Sequence, residues 1–167
     1  CCASPVLGVA LYIIAKGPAP RGLNMRRFGD TPKPGEQYFK RPGVYAILPR
    51  GGNLLLSLQG KRNPALHLPG GGIDPGESPL QALYREVLEE TGWLIAKPRR
   101  MGAYREYVYM PEYDIWADKS CTVYYAEPVR QLGPATEAYH EAVFMDADTA
   151  SNSIESSGER YFVGSLL

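Results

Sequence analysis

Short apolar runs around residue 50 give the first clear pattern in the chain. Residues 44–48 and 54–58 are almost wholly apolar, and the glycine-containing segment 50–53 lies between them. Two such runs joined by a short turn are typical of a β-hairpin, so we expect two antiparallel strands here. Consecutive glycines follow within residues 69–72, and this composition predicts a loop.

The strongest helical pattern begins after Ser78 and ends at Gly92. Ser78 and Gln81 have the spacing of a capping box, and Pro79 occupies the favoured first helical position. Gly92 is a suitable stop, because glycine readily adopts the left-handed conformation that ends helices. Apolar residues at helical spacing predict one buried face, which is formed by Leu80, Leu83, Tyr84, Val87 and Leu88.

The second half of the chain has weaker patterns. Residues 105–110, 121–126 and 141–145 are expected to form strands. A further helix is expected from about Gly158 to the end of the chain. Combined with the hairpin and the helix of the first half, these elements predict an α/β domain in which helices pack on a mixed sheet.

The N-terminal part differs in composition from the rest. Proline and glycine crowd residues 17–43, which indicates a loop or arm before the first core strand. We expect residues 1–24 to form an extension outside the main fold, with an extra strand at 6–14 as the alternative. The predicted organisation is therefore an N-terminal extension or arm at 1–40, followed by one domain at 41–167.

Composition narrows the class of function. The chain has 167 residues, with 18 Lys+Arg against 18 Asp+Glu, so its formal net charge is zero. A protein that binds a nucleic-acid polymer or an anionic membrane through its overall field is normally more basic, so we expect neither partner. The longest apolar run is too short to cross a bilayer. The three cysteines show no disulfide-like spacing, which favours a reducing, cytoplasmic location.

Acidic residues on the predicted helix carry the candidate chemistry. Glu86, Glu89 and Glu90 are spaced at i, i+3 and i+4, which places their carboxylates in one sector of the helix. Like charges at this spacing repel each other, but a divalent cation would turn the repulsion into attraction, because hard cations prefer oxygen ligands. The preceding glycines allow the backbone to approach phosphates closely. Together these features indicate metal-assisted attack of water on a phosphoanhydride.

The same residues match a family motif. From Gly71 to Trp93 the sequence fills every position of the pattern G-x5-E-x7-R-E-U-x-E-E-x-G-U, where U is hydrophobic. This stretch resembles the Nudix box, the signature of a family of hydrolases that act on nucleoside diphosphate derivatives. Agreement at every fixed position argues against a merely solvated acidic helix face. Trp93 replaces a usual aliphatic residue, and His67 stands where many members carry an aromatic residue, so both bear on packing or substrate fit.

The resemblance implies a fold and a set of roles. The implied fold is a mixed sheet sandwiched between helices, an α/β/α arrangement. The cofactor is expected to be Mg²⁺, with Mn²⁺ as the alternative. The implied metal ligands are Glu86, Glu89, Glu90 and the carbonyl of Gly70 or Gly71. Arg85 and Glu77 are expected to pair and to orient the acidic side chains.

Further candidates lie around the motif. The general base is either a glutamate of the box or a later carboxylate, Glu137 or Glu141. The residues expected to contact substrate phosphates are Gly70, Gly71, Gly72, Lys61 and Arg62. His67 is expected to be a packing residue rather than a ligand.

A group of aromatic residues follows the box. Tyr107 and Tyr109 are expected on one strand face, with Tyr113 and Trp116 in the loop after it. These rings either stack on a nucleobase or pack in the core, and packing is the preferred interpretation. Tyr109 is also a candidate substrate contact, because dinucleoside polyphosphate hydrolases of the family often carry a tyrosine near that place.

The predicted function is Mg²⁺-assisted cleavage of the pyrophosphate linkage in a nucleoside diphosphate derivative. The candidate small-molecule substrates are nucleoside triphosphates, including oxidised ones, ADP-ribose and dinucleoside polyphosphates. One alternative is a module of the same fold that senses a nucleotide without hydrolysing it. A second is isopentenyl-diphosphate isomerase, which needs a catalytic cysteine, whereas Cys121 lies outside the box. Many relatives dimerise, so a homodimer is an open alternative.

Overall fold

The computed structural model describes residues 25–167, so the predictions for residues 1–24 lie outside the described part. The described chain contains nine strands and three helices. The strands are β1 (Arg26–Gly29), β2 (Tyr38–Ile47), β3 (Pro49–Arg50), β4 (Asn53–Gln59), β5 (Ala65–His67), β6 (Gly70–Gly72), β7 (Trp93–Met110), β8 (Ile115–Gln131) and β9 (His140–Asp146). The helices are α1 (Pro79–Thr91), α2 (Ala147–Ser153) and α3 (Ser157–Gly164).

The strands form two sheets. The larger sheet is mixed, in the order β1-β7-β8-β2-β6, with β1 parallel to β7 and β2 parallel to β8. In the smaller sheet β4 pairs antiparallel with β3, β5 and β9. The expected hairpin near residue 50 is right only at its tip, where β3 and β4 turn through Gly51 and Gly52, both at positive φ. Beyond the tip, β2 leaves for the larger sheet, so the two predicted strands do not pair along their lengths.

Alternation along β2 and β4 gives each sheet two buried faces. Val44 and Ala46 pack with Leu83 and Val87 of α1, whereas Tyr45 and Ile47 pack with α2 and α3. Because successive side chains on a strand point to opposite faces, a strand covered on both sides is apolar throughout. Helices therefore cover both faces, and the predicted α/β/α architecture is confirmed.

The helix that carries the acidic residues has the predicted ends. The Ser78 hydroxyl accepts from the Gln81 amide at 3.2 Å, and the Gln81 side chain accepts from the Ser78 amide at 2.9 Å. Gly92 ends α1 in the left-handed conformation, with φ of 73°. The predicted apolar face is wrong in part, since Leu80 and Tyr84 are exposed. The buried face is rotated toward the glutamates, and it is formed by Ala82, Leu83, Val87, Glu90 and Thr91.

Two predicted loops are strands. Residues 69–72 were expected to form a loop, but Gly70–Gly72 is β6, antiparallel to β2, because a strand without side chains can lie close under α1. Within the expected arm, β1 pairs with β7 and β2 already begins at Tyr38. The predicted boundary after residue 40 therefore falls inside β2. Tertiary pairing overrides the proline and glycine content in both places.

The two longest strands of the larger sheet, β7 and β8, form a long antiparallel ribbon. β7 and β8 contain the predicted strands 105–110 and 121–126 but extend well beyond them. The third predicted strand lies within β9, and the expected C-terminal helix is α3. The sequence patterns did not indicate α2. Between residues 25 and 167, no helix is long and apolar enough to span a membrane.

Candidate active site

The glutamates of α1 differ in burial. Glu90 is 5% exposed, whereas the side chain of Glu89 is 40% exposed. The Gly70 amide donates to Glu90 Oε2 at 3.1 Å, and Gln59 Nε2 donates to Glu90 Oε1 at 3.2 Å. A carboxylate this buried needs such donors, because removing it from water without partners is costly. The burial of Glu90 is incompatible with a simple solvated acidic face.

Arg85 donates hydrogen bonds to three acidic side chains and lies 3.7 Å from a fourth, the exposed Asp74. Its Nε and Nη2 donate to the two oxygens of Glu77, each at 2.8 Å, which is the bidentate geometry favoured by guanidinium and carboxylate. Its Nη1 donates to Glu86 at 2.8 Å and to Glu89 at 3.3 Å. The hydrogen bond from Arg85 lowers the pKa of Glu77. Arg85 thus connects the loop before α1 to the acidic residues on it.

Two of the three glycines of β6, Gly70 and Gly71, are closely packed. A Cβ on Gly71 would lie 2.6 Å from Glu86 Oε2, so the Glu86 carboxylate could not keep its present position beside a larger residue. Gly70 has φ of 148°, and a Cβ there would collide with the backbone carbonyl of Val44. Burial raises the pKa of Glu86, with Arg85 opposing the shift and Glu90 and Glu89 adding to it. Glu86 therefore lies beside Gly71, one of the two glycines whose carbonyl is predicted to bind the metal.

The segment before β9 reaches the end of α1. The amides of Thr136 and Glu137 donate to the carbonyl of Glu89 at 2.8 and 2.9 Å. His140 Nε2 lies 3.4 Å from Glu90 Oε1. These contacts bring Glu137 to the acidic residues of α1, although it is far from them in sequence.

One cavity of about 870 Å³ gathers these groups. Its lining includes an acidic group, which we define as Glu86, Glu89, Glu90 and Glu137. It also includes a cationic–aromatic group, which we define as Arg41, Lys119, Tyr109 and Tyr113. Arg41 and Lys119 come from β2 and β8, and the two tyrosines come from the end of β7 and the loop after it. Gly70, Gly71, Gly72 and Arg85 also line the cavity.

Some predicted site residues lie elsewhere. Lys61 and Arg62 are exposed and are not among the lining residues, although Gly60 and Asn63 on either side of them are. The Lys61 ammonium instead lies 5.3 Å from the Tyr139 ring centroid. Glu141 is also exposed and lies outside the cavity, unlike Glu137. Of the late carboxylates, Glu137 is therefore the better placed.

Two of the four aromatic residues that follow the box, Tyr109 and Tyr113, are exposed, whereas Tyr107 and Trp116 are half-buried. Trp116 lies on β8, so its predicted place in a loop is wrong. Tyr109 is 41% exposed, so the preferred core interpretation is wrong for it, and its ring packs on Trp116 with centroids 5.3 Å apart. Tyr107 is half-buried against Tyr38. Tyr113 is 41% exposed and lies under Arg41, whose guanidinium carbon is 4.9 Å from the ring centroid. Tyr107 and Tyr109 do lie on one face of β7, as predicted, but this end of the strand extends beyond the core.

His67 has a role beyond packing. It lines the cavity, and its Nδ1 lies 3.4 Å from Oε1 of the buried Glu159 on α3. The sequence patterns did not indicate five further residues that line the cavity: Arg41, Tyr45, Gln59, Lys119 and His140. None of them belongs to a local motif, and only the strand register brings them together.

The acidic group fits a divalent cation in chemistry. All of its potential ligand atoms are carboxylate oxygens, which hard cations prefer. Gly71 also lacks the Cβ that would fill the space beside Glu86. Among residues 25–167, no three His, Cys, Asp or Glu side chains already converge on one point. Arg85 holds Glu86 and Glu89, while Gly70 and Gln59 hold Glu90. A cation would therefore have to compete with these contacts.

Comparison with known proteins agrees with this geometry. A sequence model of the NUDIX domain matches residues 39–163, which is most of the chain. The chain belongs to the Nudix family. The match includes β2 through most of α3, so both the acidic and the cationic–aromatic groups lie inside the Nudix domain.

Two curated relatives are similar over shorter stretches. An assigned 8-oxo-dGTP diphosphatase of Bacillus subtilis is 40% identical over 63 residues, which are 38% of this chain and 42% of the relative. An RNA pyrophosphohydrolase of Helicobacter pylori is 44% identical over 57 residues, 31% of this chain and 37% of the relative. The chain thus spans about two fifths of the length of each curated relative.

Solved Nudix structures share the fold. A NUDIX hydrolase from Nitrosomonas europaea superposes with a TM-score of 0.60 at 20% identity, covering 75% of this chain and 90% of the other. The MutT protein of Bacillus halodurans gives 0.61 at 21% identity, covering 74% and 80%. At such low identity these likenesses concern the fold alone.

Proposed function

We propose that this Nudix protein hydrolyses the pyrophosphate linkage of a nucleoside diphosphate derivative with the help of Mg²⁺. The observation that carries the proposal is the buried carboxylate of Glu90 hydrogen-bonded to the Gly70 amide, next to Glu86 on Gly71. Burying several carboxylates together is unfavourable unless a cation or donors balance their charge. The family membership and the names of both curated relatives support the same reaction class.

The residues that would hold Mg²⁺ are Glu86, Glu89, Glu90 and the carbonyl of Gly70 or Gly71. The bound ion would supply Lewis-acid stabilisation of charge on the phosphates, with Mn²⁺ as the alternative ion. Arg85 and Glu77 position Glu86, because their bidentate pair fixes the guanidinium that contacts it. The glycines of β6 offer backbone without side chains to the substrate phosphates.

A carboxylate would accept the proton of the attacking water. Glu137 and a glutamate of the box both remain candidates, since both line the cavity. The backbone hydrogen bond of Glu137 to Glu89 supports its inclusion in the site. Lys61 and Arg62 are less well supported as phosphate contacts than the cations of the cavity lining.

The substrate is a nucleotide that carries at least a diphosphate. Oxidised or normal nucleoside triphosphates, ADP-ribose and dinucleoside polyphosphates remain candidates. The Helicobacter pylori relative is named for activity on RNA, so the 5′ polyphosphate end of RNA joins them. The exposed ring of Tyr109 on the cavity wall supports a stacking contact with a base.

Turnover on a panel of these nucleotides tests the proposal. Phosphate or nucleotide release should require Mg²⁺, stop with a chelator, and fall by orders of magnitude in Glu89→Gln, since a ligand charge is lost. Glu127→Gln is the matched control, because Glu127 is an exposed glutamate paired only with Lys97 on the ribbon. Turnover of the wild type without metal, or unchanged turnover in Glu89→Gln, would contradict the proposed metal-dependent reaction.

The two alternatives predict other results. A sensing module would bind nucleotides of the panel without hydrolysing them. The complete acidic group favours hydrolysis over sensing. An isomerase would need a reactive cysteine, but Cys121 is fully buried and outside the cavity lining, and burial raises its pKa to about 11. Isomerisation of isopentenyl diphosphate is therefore not expected. Cytoplasmic location and homodimer formation stay predictions.

A further inference from the structure

Two cations stand side by side on the wall of the cavity. Arg41 on β2 and Lys119 on β8 are register partners in the parallel pair of strands. They share the face of the sheet that also carries Tyr45 and Cys121, since side chains alternate along each strand. Both residues are partly buried and both line the cavity. Like charges at directly neighbouring strand positions disfavour each other unless something of opposite charge lies between them.

Neither cation forms a direct ion pair with a carboxylate of the described residues. In the described part of the chain, no carboxylate oxygen lies within the 4.0 Å ion-pair distance of Arg41 or Lys119. The preceding residue shows the contrast, because Asp118 accepts both hydrogen bonds of Arg105 at 2.6 Å. This matched ion pair between β7 and β8 thus contrasts with Arg41 and Lys119, neither of which has an ion-pair partner in the described part of the chain.

Two acids that interact electrostatically with Lys119 already accept hydrogen bonds from other groups: the buried Glu159, and the half-buried Glu106, which is the register partner of Lys119 on β7. Glu159 accepts from the Leu68 amide at 2.7 Å and contacts His67. Glu106 accepts a longer hydrogen bond from Ser156 at 3.4 Å. These acids keep the surroundings of Lys119 negative enough to tolerate its charge, but they do not occupy its donors.

Lys119 is held in place by a neutral partner. Its Nζ donates to the Tyr45 hydroxyl at 3.0 Å, and Tyr45 is 7% exposed. Tyr45, and further Glu159, raise the pKa of Lys119 above its ordinary value against the effect of burial. Lys119 is therefore charged at neutral pH, and an ammonium has three donors. Donors remain for a group within the cavity.

We propose that Lys119, held by Tyr45 and assisted by Arg41, is the receptor for a further phosphate group of the substrate, beyond the diphosphate that is cleaved. A phosphate offsets both positive charges and accepts several hydrogen bonds, which a neutral base or sugar cannot do. The inference rests on the proposed function and narrows it to substrates with a chain of three or more phosphates. A nucleoside triphosphate, a dinucleoside polyphosphate and a 5′-triphosphate end all share this chemistry.

Binding of inorganic pyrophosphate in the presence of EDTA tests the receptor without the metal. Isothermal titration calorimetry should show binding to the wild type and weakening on the order of ten- to a hundredfold in Lys119→Gln, as expected for a lost charged hydrogen bond. Lys97→Gln is the matched control, because Lys97 is an exposed lysine on β7 that pairs with Glu127. Lys119→Arg should retain most of the affinity.

Equal affinity in the wild type and Lys119→Gln, or no binding to the wild type, would overturn the receptor. Should Lys119→Gln fail to fold, the partly exposed Arg41 provides the second variant, and Arg41→Gln must weaken pyrophosphate binding too. Unchanged affinity there overturns the joint role of the two cations. Circular dichroism melting identifies a folding failure independently of binding.

Kinetics with Mg²⁺ then separate the receptor from the proposed function. Lys119→Gln should raise KM for a nucleoside triphosphate and leave KM for ADP-ribose within about twofold, since ADP-ribose has no third phosphate. Equal effects on both substrates would overturn the receptor. Pyrophosphate binding without any metal-dependent hydrolysis would overturn the proposed function and leave the receptor intact. A panel of triphosphate, dinucleoside and RNA substrates identifies the source of the extra phosphate.

Discussion

The acidic group and the cationic–aromatic group line one cavity but arise in different ways. Three of the four acidic residues lie on α1, and β6 precedes that helix directly. Arg41, Lys119 and Tyr109 belong to three different strands, and they meet only because β2, β8 and β7 are neighbours in the larger sheet. The first group is built from local spacing, whereas the second is built from strand register.

This difference determines how substitutions in each group should affect catalysis and substrate choice. The acidic group depends on one helix, one glycine strand and Arg85, so its geometry is tightly coupled and every member affects the others. In the cationic–aromatic group, Arg41 contacts Tyr113, whereas Lys119 and Tyr109 contact residues outside the group. Substitutions in the first group should therefore abolish chemistry, and those in the second should change the choice of substrate.

The sharpest test of the acidic group is Gly71→Ala. The added methyl group would lie 2.6 Å from Glu86 Oε2 and force that carboxylate away from the backbone. We expect kcat to fall on the order of a hundredfold, as when residues that orient metal ligands are lost. Steady-state hydrolysis at saturating Mg²⁺ measures the loss.

Gly72→Ala is the matched control for this substitution. Gly72 lies next to Gly71 on β6, yet a Cβ there meets no atom within 4 Å. The phosphate contact proposed for Gly72 uses backbone atoms, which alanine keeps, so kcat should stay within about twofold of the wild type. A contact between the added methyl group and the substrate would change KM instead. Equal losses in both variants would mean that the strand, not the space beside Glu86, governs activity.

The corresponding test of the cationic–aromatic group is Tyr109→Ala. Losing a ring that stacks on a base should raise KM on the order of tenfold while kcat changes little, since stacking contributes about 1–3 kcal/mol per base. Tyr161→Ala serves as the control, because Tyr161 has similar exposure but stacks with Arg26 and is not among the cavity-lining residues. A fall in kcat without a change in KM would place Tyr109 with the catalytic residues instead.

Local signals explain how much of the molecule the sequence predicts. The ends of α1 follow from Ser78, Gln81 and Gly92, because capping depends on neighbours within one helical turn. The Arg85 and Glu77 pair follows from family spacing, and the structure shows it as a bidentate ion pair. These features need no knowledge of distant parts of the chain.

Features that depend on distant pairing could not be predicted in this way. The burial of Glu90 requires Gln59 and Gly70, which reach it only after β4 and β6 have packed on α1. Arg41 and Lys119 are ordinary strand residues until β2 aligns with β8. The strand character of Gly70–Gly72 likewise depends on β2, since glycine triplets have no strand preference of their own.

The contact between His67 and Glu159 gives the smallest expected effect and shows how α3 supports the cavity. Burial lowers the pKa of His67, but the hydrogen bond and the charge of Glu159 outweigh it, so the net shift is upward from 6.5. A raised pKa stabilises the fold fully below the unfolded value of 6.5 and loses that contribution as the pH rises through the folded pKa. We expect the pair to contribute about 1 kcal/mol at about pH 5.5 and less at about pH 8.5.

A double-mutant cycle isolates this contribution. The free energy of unfolding would be measured by urea denaturation for the wild type, His67→Gln, Glu159→Gln and the double variant at both pH values. The cycle cancels the loss of the Leu68 amide hydrogen bond, which Glu159 makes independently of His67. The coupling energy should decrease from the lower to the higher pH. A coupling that is constant or grows with pH would show that a charged His67 does not stabilise the fold, and the Leu68 amide would remain as the hydrogen-bond donor to Glu159.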